Sequence, residues 1–293
     1  MEDYNINSTS KHGYNYSNTT DYDYQDGSSS KYYILDVLTY VTIAVGFLSV
    51  LVAIYAVFSL VRKDHGAPIY VINLLIADLI QLCSLTVLMI RTTYKIFETF
   101  YYLYYFSQLA SVGFMACVSL ERYLVIAWPV WYHFRPTVKF SVMVCVVVWV
   151  LPLVYILPDY FSVGFQVTET IFGVFLLLPF PLFIFSLCGT LKALSAASRV
   201  PPDEKRRIVA MLVLVLLIYT LLFLPSIIWS LAEESRYNSD FSDMSFIIVL
   251  FSPLADSFLY VLLRKGAVDK VLTSVCCCRM ESNDVNPTTT VEN

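Results

Sequence analysis

Two aspartates, Asp78 and Asp256, are the only charged residues deep within the long apolar runs of this sequence. A lone charge at that depth costs a few kcal/mol even on the lenient insertion scales, so each needs a partner, a cation or a proton. Oxygen donors gathered around a small hard cation are one chemistry that such a pair supports. A proton shared between two facing carboxyls, as in an intramembrane aspartyl protease, is another. That reading calls for a Gly-x-Gly-Asp sequence, and Leu254-Ala255-Asp256 does not supply it. A transporter is a third reading, but no inverted repeat or pair of broken helices stands out.

A second group with chemical potential is Glu121-Arg122-Tyr123, which closes an apolar, aromatic-rich run shortly before Pro129. Unbroken apolar sequence before it and basic residues after it put this acid, base and ring at a membrane surface. At 100° per residue, Tyr104, Ser111 and Arg122 fall within about 20° of one line along a helix, with Gln108 about 40° away. One helix face thus carries polar groups along its whole length.

The elements that must position these residues are membrane helices. The chain has 293 residues, of which 58% are hydrophobic, 16% aromatic and only 14% charged, with a mean hydropathy of +0.66. A soluble domain carries about 25% charged residues, so lipid is the expected solvent. Windows of roughly 20 apolar residues, enough to cross about 30 Å of hydrocarbon, fall near 33–60, 69–91, 98–126, 138–158, 170–194, 207–232 and 244–263. Backbone groups in lipid must bond within their own segment, which predicts an all-α membrane protein, a bundle of seven transmembrane helices. Lys and Arg concentrate after the first, third, fifth and seventh spans, for example Arg62, Lys63, Arg135, Lys205, Arg206, Arg207, Arg264 and Lys265. The expected topology therefore has the N-terminus outside and the C-terminus in the cytoplasm.

Three regions follow. Residues 1–31 read as a disordered extracellular tail with no signal-peptide core, residues 32–275 as the seven-helix domain with a short amphipathic eighth helix, and residues 276–293 as a cytoplasmic tail. The tail holds glycosylation sequons at Asn7, Asn15 and Asn18 and an acidic tyrosine pair, Tyr22 and Tyr24. Cys276, Cys277 and Cys278, next to the membrane, are expected palmitoylation sites.

Several motifs resemble the rhodopsin-like (class A) G protein-coupled receptors. They are Asn73 to Leu79 in span 2, Glu121-Arg122-Tyr123 ending span 3, Trp149 in span 4, Pro179 in span 5, Phe223-Leu224-Pro225 in span 6 and Asp256 to Tyr260 in span 7. Phe223, where many relatives have Trp, is similar to the delta branch that includes purinergic and proton-sensing receptors. The resemblance implies a non-enzymatic plasma-membrane receptor that binds an extracellular ligand and activates a heterotrimeric G protein. It has no cofactor beyond Na⁺ as an allosteric ion, and it implies no nucleic acid partner. Its switch would use Glu121, Arg122, Tyr123 and Tyr260, and its ion site Asp78, Ser111, Ser252 and Asp256. The sequence departs from the family in lacking an Asn in span 1, in Leu187 near the inner end of span 5, and in Ser257 at the span-7 proline, for which Pro253 is the expected substitute. The disulfide that ties the family's third helix to its second outer loop is also missing, because Phe97 occupies the helix-3 position.

The expected ligand pocket is formed by Tyr101, Tyr104, Tyr105, Gln108, Phe223, Ser226, Ser230 and Phe246, with about half of the aromatics at the head of span 3 belonging to an interfacial belt. Span 7 has no Lys for a retinal Schiff base, Tyr104 replaces the Asp that biogenic amines require, and no mid-bundle Arg or Lys awaits an anionic ligand. Only His12 is expected outside, with His65 and His133 inside, which leaves histidine-based proton sensing little to work with. Acidic residues outnumber basic ones in the tail and outer loops, Glu98, Glu169, Glu233, Asp240 and Asp243 among them. A cationic peptide is accordingly favoured over a neutral lipid or steroid, and both remain open.

Overall fold

A computed structural model describes residues 26–61, 69–90, 93–127, 137–161, 164–196, 202–236 and 238–263. The sequons at Asn7, Asn15 and Asn18, the segment from Arg264 onward with Cys276, Cys277 and Cys278, and the Tyr260 side chain lie outside the described residues. Among the described residues, seven helical stretches are long and apolar enough to cross a membrane: Tyr33–Phe58, Ile69–Leu88, Tyr94–Ala127, Lys139–Pro158, Phe165–Ser195, Ile208–Leu231 and Ser239–Phe258, numbered here as spans 1 to 7. The first helix begins in an N-terminal unit that ends at Val37, and the bundle described below starts at Leu38.

Spans 3, 5 and 7 begin earlier than apolarity predicts, at Tyr94, Phe165 and Ser239. Each early turn carries a charge, Lys95, Glu169 or Asp240, which lowers a hydropathy window without interrupting helical hydrogen bonding. Proline does interrupt it. Span 4 breaks at Leu151 and Pro152 and restarts at Leu153, and span 5 breaks at Leu178, immediately before Pro179. Span 6 runs unbroken from Pro202 to Leu231 with Pro225 inside it. Span 7 breaks at Phe251, whose N–H reaches back to the carbonyls of Ile248 and Val249. This break precedes Pro253, the expected bend, because the tightened turn closes the first segment before the proline's missing N–H is reached.

Span 3 is central. It packs along span 2 and the second half of span 5, while span 6 packs against both halves of spans 5 and 7, and the second half of span 7 returns to span 2. Two apolar clusters flank this axis. One joins Val50, Leu74, Leu75, Phe114 and Val148, and the other joins Leu109, Tyr155, Phe172, Phe183, Tyr219 and Phe223. Large apolar side chains such as Leu48, Tyr55, Leu221 and Phe185 are exposed around the periphery. Such a surface is a liability in water and is what a lipid-facing bundle requires.

Tyr104 and Arg122 lie on either side of Ser111 along span 3, toward its opposite ends, so the bundle has two chemically different mouths separated by the buried aspartates. Span 2 is held to span 4 by Trp149, whose Nε1 donates to Asn73 Oδ1 at 3.0 Å, while Asn73 Nδ2 lies 3.5 Å from Cys145 Sγ. The Trp149 ring also meets Phe106 and Phe114 at 5.8 and 5.4 Å between centroids. Span 2 is thereby fixed in rotation, with Asp78 directed into the core, where it is fully buried.

Candidate functional site

The two aspartates meet at Ser111. Ser111 Oγ on span 3 lies 3.1 Å from Asp78 Oδ1 and 3.0 Å from Asp256 Oδ2, and all three residues are buried. A hydroxyl has one proton to donate, so it serves one ionised carboxylate at a time. The two carboxyl groups also face each other directly, and Asp78 Oδ2 and Asp256 Oδ1 have no hydrogen-bond donor among the described residues. One positive charge, a proton or a cation, would complete the arrangement.

The donor set suits a hard cation, being carboxylate and hydroxyl oxygen throughout. It does not suit a transition metal: among the described residues no three of His, Cys, Asp or Glu gather. Ser252, expected beside the pair, is instead one turn away on span 7, with its hydroxyl accepting from Gln81 Nε2 at 3.3 Å. Ser257, adjacent to Asp256, has a buried hydroxyl with no partner among the described residues and is a further oxygen that the sequence reading missed. Gln81 was missed too. Its signal was its place one turn after Asp78 on the same helix face.

At the Arg122 end, Tyr123 packs edge-on to Phe185 of span 5 with centroids 5.2 Å apart. Its ring lies directly over Gly189, where an added Cβ would collide with it, so glycine permits this close approach of spans 3 and 5. Glu121 is half-buried. Arg122 Nε is buried and has no hydrogen-bond partner among the described residues.

At the other end, the expected pocket residues divide. Tyr101, Tyr104, Tyr105 and Phe246 form one aromatic group: Tyr105 is 4.8 Å from Tyr101 and 5.3 Å from Tyr104, and Tyr104 is 6.4 Å from Phe246. Tyr155 of span 4 and Phe172 of span 5, which the sequence reading did not single out, complete it at 5.9 and 5.6 Å from Tyr105. Phe97 is exposed, as a belt residue should be, whereas Tyr104 is in the core. Phe223 belongs to a second group, 4.8 Å from Tyr219, which also meets Phe183 at 4.8 Å and donates its hydroxyl to the Leu176 carbonyl. Gln108 is buried on the polar face of span 3, the Ser226 hydroxyl donates to the Ser245 carbonyl at 3.4 Å, and Ser230 lies over Gly173.

Glu169 corrects the expectation of a purely exposed acidic rim. It is only 7% exposed, on the face of span 5 that carries Phe172. Hydropathy set it at the edge of a loop, but the helix begins one turn earlier and turns this carboxyl inward.

Residues 48–170 match the profile of the 7 transmembrane receptor (rhodopsin family). The chain is 28% identical to Mas-related G-protein coupled receptor member B3 of Mus musculus over 230 residues, 71% of this chain and 72% of that protein. It is 27% identical to G-protein coupled receptor 68 of Mus musculus over 260 residues, 75% of this chain and 69% of that protein. It is also 26% identical to a purinoceptor of Gallus gallus over 193 residues, 54% of this chain and 58% of that protein. The delta-branch likeness of the span-6 motif fits the last two. With seven helices among the described residues long and apolar enough to cross a membrane, and with relatives that are receptors, the chain is similar in sequence and in helical architecture to the rhodopsin-like (class A) G protein-coupled receptors, multi-pass proteins of the plasma membrane.

Proposed function

We propose that this receptor binds an extracellular ligand with an apolar or aromatic body and a cationic end in the aromatic group around Tyr105, and answers by activating a heterotrimeric G protein at the Arg122 end. The N-terminus is outside in this reading, with Asn7, Asn15 and Asn18 glycosylated and Cys276, Cys277 and Cys278 palmitoylated on the cytoplasmic side. Glu121, Arg122, Tyr123 and Tyr260 form the switch. Movement of span 6 away from span 3 opens a cavity that Arg122 lines. The Asp78, Ser111 and Asp256 cluster holds Na⁺ in the inactive state, and an agonist that prefers the other state competes with it through the shift in populations.

The observation that carries the ligand reading is Glu169, a buried acid on the face of span 5 that carries Phe172, whose ring meets Tyr105 at 5.6 Å. An ammonium or guanidinium placed there meets an acidic side chain and several ring faces, each ring worth about 0.5–2 kcal/mol as a cation–π contact. Acids near the surface, such as Glu98 and Asp243, speed the approach of a cation in a salt-dependent way and add less to the bound state.

A panel of cationic amphipathic peptides, neutral lipids and steroids, read out as nucleotide exchange, tests the choice. With a peptide agonist in hand, Glu169→Gln should raise its half-maximal concentration at least tenfold, while Glu98→Lys or Asp243→Lys should act mainly through the salt dependence. Equal potency at Glu169→Gln, or responses confined to neutral lipids and steroids, would reject the cationic ligand and leave the receptor assignment standing.

A further inference from the structure

The acidic pair is one of two parallel links between spans 2 and 7. One turn along span 2 from Asp78 stands Gln81, and one turn along span 7 from Asp256 stands Ser252. Both are 1% exposed, and Gln81 Nε2 donates to Ser252 Oγ at 3.3 Å. As Ser111 of span 3 touches both members of the first link, so Tyr104, two turns away on span 3, adjoins the second. It shares a small buried cluster with Leu85, one turn beyond Gln81, and Leu250, two residues before Ser252, and its hydroxyl and Gln81 Oε1 are both buried without a hydrogen-bond partner among the described residues. Tyr104 is also edge-on to Tyr105 and tilted against Phe246, inside the aromatic group where the proposed ligand sits. Ser252 follows directly on Phe251, the interruption of span 7, and is therefore at the joint about which the segment bearing Asp256 can turn.

We propose that Gln81 is the positioning residue that transmits displacement of Tyr104 to span 7, so that the aromatic site and the acidic pair respond as one unit. The inference rests on the switching role proposed above for the acidic pair and Arg122. A carboxamide suits the task because it donates and accepts at once and carries no charge. Glutamate at 81 would set a third carboxylate one turn from two others. Methionine would match its length and leave two buried hydroxyls without a shared partner. The coupling needs only that the link have two arrangements. The hydrogen bond to Ser252 at 3.3 Å is one arrangement, and a bond between Gln81 Oε1 and the Tyr104 hydroxyl, both without a partner among the described residues, is the other.

The test uses the full-length receptor in nanodiscs with a purified heterotrimeric G protein and no added agonist. A thermal double-mutant cycle between Tyr104→Phe and Ser252→Ala should show a coupling on the order of 2 °C or more, and Gln81→Met should abolish it. Because the two hydroxyls make no direct contact, a coupling that survives Gln81→Met, or no coupling at all, would overturn the proposal. Basal nucleotide exchange is the second measurement. Tyr104→Phe and Gln81→Met should each change it severalfold in the same direction, and together no more than either alone. Ser84→Ala, whose hydroxyl only serves its own helix at Ile80, should leave it unchanged. Multiplicative effects in the double variant, or exchange unmoved by Tyr104→Phe and Gln81→Met, would overturn the transmission. Arg122→Ala in the same assay separates the two layers: if it leaves exchange undiminished, the switch reading fails independently of Gln81.

Discussion

Replacing Asp78 by Asn is the most informative perturbation of the buried pair, since it keeps the shape of the side chain and removes one of two adjoining acids. The two oxygens that flank the Ser111 hydroxyl can be no farther apart than about 6 Å, so two ionised carboxylates repel by about 3 kcal/mol at an effective dielectric constant of about 20. Bound Na⁺ cancels that repulsion, and Asn at 78 abolishes it permanently. Raising sodium to about ten times its dissociation constant stabilises the binding state by about 1.4 kcal/mol, which corresponds to a rise in Tm of roughly 3–6 °C for a large domain. The assay is intrinsic tryptophan fluorescence of the purified receptor during heating, with choline replacing sodium so that ionic strength is constant. Wild type should show the rise, and Asp78→Asn should show none. In agonist binding, sodium should lower the affinity of wild type alone. A wild-type Tm indifferent to sodium, or a response that persists in Asp78→Asn, would refute the reasoning and leave the pair as a structural, proton-sharing contact.

Two other outcomes follow from the packing. Mild dithiothreitol should leave ligand binding intact, because Cys83, Cys117, Cys145 and Cys188 are free thiols within the spans; loss of binding would contradict the topology. Gly189→Ala should destabilise by about 1–3 kcal/mol as the new methyl drives the Tyr123 ring aside. Its combination with Tyr123→Ala should cost less than the sum of the two in thermal unfolding, and strict additivity would argue against the contact.

Much of the bundle could be read from apolar length alone, since nothing else in the chain supplies seven such runs, and the lipid requirement leaves only helices to build from them. The ends were less legible. Lys95, Glu169 and Asp240 lower local hydropathy and yet sit within helices, and for Glu169 that error concealed an inward-facing acid as part of a rim. The pairing of Asp78 with Asp256 was accessible because two buried charges have few options. Ser111 was accessible because it shares a line with Tyr104 and Arg122.

Gln81 was passed over, and Ser257 was read only as a departure at the span-7 proline, because a neutral polar residue in a span has no one-dimensional signature until its neighbours are known. Tyr155 and Phe172 meet Tyr105 only through the packing of spans 4 and 5 on span 3, a relation that spacing along one helix does not encode. The break at Phe251 reflects a competition between the proline at 253 and the hydrogen bonds the chain can still make before it.

The central claim is that this chain converts an event in its helix bundle into nucleotide exchange through Arg122. The measurement that tests it most directly is nucleotide exchange on a purified heterotrimeric G protein by wild type and Arg122→Ala at matched surface expression and matched ligand binding. Exchange by wild type that is abolished in Arg122→Ala is the predicted result, and exchange undiminished in Arg122→Ala would contradict the account.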